Sequence, residues 1–122
     1  MGVRLGDWAG NDKPFISYNK ISFNGYGEES CETFVVSRIF ESDREPSNYP
    51  ETKGKYFAFC KTRQFPYDLN VQCCLIVFKH YLRDAFYVSS DGDPEEWKDA
   101  QGACQKILGY GKNFKCDGWD EE

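Results

Sequence analysis

One histidine, six cysteines and a short run of carboxylates are the residues from which this sequence could build chemistry. A nucleophile–histidine–acid set would need a cysteine or serine folded toward His80, the single histidine. Its place near the end of a helical pattern suits instead a contact with the negative end of the helix dipole. The cysteines stand at 31, 60, 73, 74, 104 and 116. None forms a C-x-x-C pair, and Cys73 and Cys74 are adjacent. Zinc-ligand spacing is therefore missing, and the thiols read as reduced, small, buried hydrophobes. Asp91, Asp93, Glu95 and Glu96 offer paired carboxylates or hard-metal ligands. They lack the spacing of a calcium loop, and a turn and a helix cap account for them. These residues give no catalytic group, no metal and no cofactor.

Two helix starts carry the more informative groups. Lys61-Thr62-Arg63 precedes one predicted helix and Ser89-Ser90 precedes the other. Helix N-termini bind anions through free N–H groups and the dipole. If the strands feeding them are parallel neighbours, Lys61, Thr62, Arg63, Tyr67, Ser89, Ser90 and Asp91 share one pocket. It would hold a small anionic, nucleotide-like ligand, with Tyr67 or Phe65 stacking a base. Neither standard glycine-rich phosphate loop is present.

Charge supplies a second candidate. The chain carries −5 overall, arranged acidic, basic, acidic along its length. Residues 28–51 hold seven acids and two bases, 52–90 six bases and two acids, and 91–122 nine acids and four bases. The overall sign argues against nucleic-acid binding, which needs a positive footprint. It allows an acidic face, with Glu41, Asp43 and Glu45 in an extended loop, that docks a basic host protein and mimics nucleic-acid charge. An enzyme of unrecognised type is the remaining alternative, and homo-oligomers are left open.

These groups need elements to position them. At 122 residues the chain predicts one domain with its own core. Residues 1–14 read as an irregular lead-in. Phe15 to Phe23 and Thr33 to Phe40 read as strands joined at Asn24-Gly25, a strong hairpin signal. Residues 41–55 form a long polar loop, and Tyr56 to Cys60 a third strand. Pro66 suits a first helical position. From Tyr67 to Arg83 apolar residues recur at 71, 74, 75, 78 and 82, widened by Cys73, Ile76 and Val77. Ala85 to Ser89 reads as a fourth strand. Asp93 then caps a helix that has Pro94 in its first turn. Its stripe of Trp97, Ala100, Cys104, Ile107 and Leu108 is stopped by Gly109. The tail 111–122 frays unless Phe114 and Trp119 dock. The order is β-β-β-α-β-α, an α+β two-layer sandwich with a mostly antiparallel sheet of about four strands and two helices on one face.

Three segments, Phe23-Asn24-Gly25, Cys60-Lys61-Thr62-Arg63 with Pro66-Tyr67-Asp68, and Ser89-Ser90-Asp91-Gly92-Asp93 ahead of Trp97, resemble a family of small uncharacterised bacteriophage and bacterial proteins. A K-T-x-x-x-P-Y-D segment and an S-S-D-G stretch mark that family. The resemblance spans about residues 22–110. It implies a phage accessory protein, or its bacterial relative, acting in the host cytoplasm, and assigns no catalytic role; capture of the anionic ligand described above would then counter host defence. No signal peptide is read in the first twenty residues. The longest apolar run, 71–78, falls short of the roughly 18 residues a membrane span needs.

Overall fold

Alternating polar and apolar residues place the strands. In the computed structural model, Leu5–Gly6 (β1), Phe15–Ile16 (β2), Lys20–Gly25 (β3) and Phe34–Ser37 (β4) form one antiparallel sheet in which the other three all pair with β3. The structure describes all residues except 1, 2, 8, 12, 38–44, 47, 56–59, 91 and 118–122, and the side chain of Glu51. The described chain divides into two compact units, Met1–Asp68 and Leu69–Glu122.

In the first unit, register puts Phe23 opposite Phe34 and Ile21 opposite Val36. Side chains alternate across a strand, so these four share a face, and the Phe23 and Phe34 rings lie 5.2 Å apart. The other face carries Phe15, Ser22 and Val35, and the Lys20 ammonium sits 5.4 Å over the Phe15 ring.

The Asn24-Gly25 hairpin expectation is corrected here. Both residues stay in β3 and pair with β1, and the chain reverses later, through a single 3-10 turn at Gly27–Glu29. Asn24 is 2% exposed. Its Nδ2 donates to the Cys31 carbonyl at 3.0 Å and to Thr33 Oγ1 at 3.3 Å. Its Oδ1 accepts from Gly25 N at 2.7 Å and Cys31 N at 3.0 Å. Gly25 is needed for space, because a Cβ there would overlap the Glu29 carbonyl and come 2.8 Å from the Tyr67 ring.

The helices are Asp68–Leu82 (α1) and Lys98–Leu108 (α2). Pro66 and Tyr67 lie in the turn before α1 rather than in its first turn. A 3-10 turn at Pro94–Trp97 leads into α2, with Asp93 as its cap, accepting from Glu96 N at 3.3 Å. Gly109 ends α2 in the left-handed conformation, φ 85°, as a helix stop requires. The second unit has its own core of Ile76, Val88, Trp97, Ala100, Cys104 and Cys116. Phe114 stacks on Trp97 at 5.0 Å, so the tail docks as far as it is described. Trp119 lies outside the described residues.

The expected antiparallel sheet of four strands with two helices is present, in the order β-β-β-β-α-α. The lead-in supplies a strand, β1, that periodicity could not show in two residues. The expected fourth strand at 85–89 is absent from the sheet. A 3-10 turn occupies Arg83–Ala85. Val88 spends its backbone on the tail, its N–H donating to Asp117 Oδ2 and its carbonyl accepting from Asp117 N, both at 2.8 Å. Four residues of the expected third strand, 56–59, lie outside the described residues.

Candidate functional site

Before α1, Thr62, Tyr67 and the backbone of Lys61 fasten the first unit. A turn at residues 62–65, closed by Phe65 N donating to the Thr62 carbonyl at 3.1 Å, holds Arg63 and Gln64 at φ 56° and 57°. Two successive left-handed residues make a type I′ turn, which glycine and asparagine favour. Thr62 is buried. Its hydroxyl donates to Asp68 Oδ1 at 2.8 Å and accepts from Gln64 N at 3.2 Å. Lys61 gives its backbone N–H to Glu32 Oε1 at 2.8 Å, and its carbonyl accepts from Glu32 N at 3.0 Å.

Tyr67 is buried, and its hydroxyl donates to the Glu32 carbonyl at 2.7 Å, with the Lys61 carbonyl 3.3 Å away. A ring so enclosed has no face for a base to stack on. The Cys60 thiol donates to the same Glu32 carbonyl at 3.4 Å. Burial, and then the Glu32 carboxylate, push that thiol up to about 11. Burial, and then Cys60, raise the Tyr67 phenol as well. Both hold their protons at neutral pH, so neither is an activated nucleophile.

Ser89 and Ser90 belong to the second unit and are exposed, and Ser90 Oγ accepts from Gly92 N at 3.0 Å. Asp91 lies outside the described residues. Since 85–89 is not a strand, the parallel strand pair that would have gathered both helix starts is missing. Each start also holds carboxylates of its own: Asp68 in the first turn of α1, and Asp93, Glu95 and Glu96 about the 3-10 turn before α2. The positive end of a helix dipole favours negative charge of this kind.

Of the acidic loop, Glu45 is exposed, and Glu41 and Asp43 lie outside the described residues. Glu28 and Glu29 are exposed in their 3-10 turn. In the second unit His80 stacks on Tyr110, centroids 3.7 Å apart and planes 7° from parallel. Burial is the leading cause that lifts Cys73 and Cys116 to about 12 and Cys74 to about 11. All six cysteines are free. Among the described residues no three His, Cys, Asp or Glu side chains gather as a metal site. No helix among them is long and apolar enough to cross a membrane.

Sequence reasoning missed Glu32, whose backbone and carboxylate tie residues 60, 61 and 67 together, and no local pattern marks it. It also missed the clasp in which Lys79 Nζ meets Asp117 Oδ2 at 3.1 Å and the Phe86 carbonyl. Compared with known protein families, curated proteins and solved structures, the chain matches none.

Proposed function

We propose that the chain is a non-enzymatic accessory protein of phage type that docks a basic host protein through acidic surface. The observation that carries this reading is that both helix starts carry the chain's own carboxylates, while Thr62 and Tyr67 spend their hydroxyls on partners inside the first unit. An acidic surface steers a basic partner at long range and orients it before contact. Exposed Glu28, Glu29 and Glu45 supply such a surface in the first unit, and Asp93, Glu95, Glu96 and Asp99 in the second. The K-T-x-x-x-P-Y-D and S-S-D-G segments support the phage setting.

The test is capture of a basic protein from bacterial lysate, followed by the purified pair. Neutralising Glu28, Glu29, Glu41, Asp43 and Glu45 to amides, or Asp93, Glu95, Glu96 and Asp99 likewise, is expected to weaken that pair at least about tenfold, and added salt to weaken it further. Binding unaffected by either set would reject the proposal. The competing reading, capture of a small anionic ligand, is tested by thermal shift with a nucleotide panel. A shift abolished by Arg63→Ala would favour it.

A further inference from the structure

The apolar stripes of α1 and α2 are longer than the core they line. In α2 the stripe begins at Ala100 and Cys104, both buried, and continues at helical spacing to Ile107 and Leu108, which are 67% and 48% exposed. In α1 it passes from Val71 and Ile76, both buried, to Leu82, 50% exposed, beside Tyr81 at 71%. Tyr110 joins the two helix ends: it stacks on His80, and its ring centroid is 6.2 Å from that of Tyr81. The loop that carries it returns against α2, since a Cβ on Gly111 would lie 2.7 Å from the Cys104 side chain. Tyr81, Leu82, Ile107 and Leu108 therefore lie exposed about one end of the second unit. Large apolar side chains left exposed together at one end of a unit suit an interaction site.

Charge selects the occupant. Segments 80–84 and 106–112 carry exposed Arg83, Lys106 and Lys112 against one acid, Asp84, a formal +2 from three positive and one negative charge, on a chain of −5. We propose that this end docks an acidic amphipathic helix of a partner protein, its apolar stripe on Tyr81, Leu82, Ile107 and Leu108 and its carboxylates facing Arg83, Lys106 and Lys112. Helices bind such surfaces through anchors at i, i+3, i+4 and i+7. Single-stranded nucleic acid fits less well, because three of the four exposed groups are aliphatic and offer no stacking face, and His80 covers one face of Tyr110. The surface is opposite in sign to the acidic surfaces proposed above and does not depend on them.

The test uses the full chain and a fluorescent synthetic peptide of about 18 residues, five helical turns, with leucines at i, i+3, i+4 and i+7 and glutamates on its other face. Controls are a scrambled peptide of equal composition, a lysine version, a single-stranded DNA oligonucleotide and phosphatidylserine vesicles. The stripe peptide is expected to bind at least about tenfold tighter than each control. Tyr81→Ser with Ile107→Ser is expected to weaken it at least about tenfold, as loss of anchor residues does. Lys106→Glu with Lys112→Glu should weaken it and narrow its advantage over the lysine version. All four positions are exposed, so circular dichroism should show unchanged folding. Equal binding of scrambled and stripe peptides, an unaffected Tyr81→Ser/Ile107→Ser variant, or tighter binding to DNA or vesicles would overturn the proposal. None of these outcomes bears on whether the acidic surfaces dock a basic protein.

Discussion

Asn24 is the residue on which the first unit turns. It has four hydrogen bonds to satisfy and meets all of them inside the fold. Asn24→Ala would leave the N–H groups of Gly25 and Cys31 without their acceptor. A loss of about 2–4 kcal/mol is expected from the cost of stranded buried donors, read as a lower urea midpoint at unchanged slope. The thiols give a second residue-scale expectation. Cys60, Cys73, Cys74 and Cys116 sit above their ordinary 9.0, at about 11 or 12, so in alkali the folded chain keeps protons that the unfolded chain releases. Their contribution is whole below pH 9 and drains away as pH climbs toward 11 to 12. Melting temperature should fall over that window, and the fall should shrink in Cys73→Ala. At this scale the sequence was half legible. The expectation of buried thiols holds for Cys104 and Cys116, whereas Cys31, Cys60, Cys73 and Cys74 are half-buried. Asn24 did not follow, because an Asn-Gly pair looks the same whether the side chain turns the chain or is buried to hold a loop.

Among the elements, the helix ends were the most legible, because capping is local chemistry written in adjacent residues. Asp93 caps and Gly109 stops as the sequence proposed. Asp93→Ala is expected to cost about 1 kcal/mol, and Asp93→Asn much less. Gly109→Ala is expected to cost about 1 kcal/mol, since alanine is strained at φ 85°. Helicity by circular dichroism and urea midpoints check all three. The strand expected at 85–89 failed at this scale. Residues 85–89 have the composition of a strand, but a strand is a pairing, and a partner 29 residues away took the backbone of Val88. Nothing near Val88 announces Asp117. Likewise Thr62 and Tyr67 carry the right atoms for a ligand, and only the approach of Glu32 and Asp68 shows those atoms already engaged.

At the scale of the whole molecule, charge is the legible property and its placement sharpens it. Within the second unit, acids gather about the start of α2 and bases about the helix ends. Two kinds of partner would respond differently to salt. Association with a basic protein through the acidic surfaces should slow steeply as salt rises, because steering acts over distances that ions screen. Association of the acidic amphipathic peptide, anchored by apolar contact, should weaken less. Stopped-flow rates across a salt series compare the two, and equal slopes would count against separate modes of docking.

The clasp between Lys79 and Asp117 also bears on how the protein is made. Its partners are 38 residues apart. In a chain synthesised from its N-terminus, at about 5–20 residues per second, α1 is complete roughly 2–7 s before Asp117 is added. Until then the N–H of Val88 lacks its acceptor and Lys79 lacks its carboxylate partner. The first unit is made entire before that wait begins. A nascent second unit is therefore exposed to chaperones in a way that the first is not.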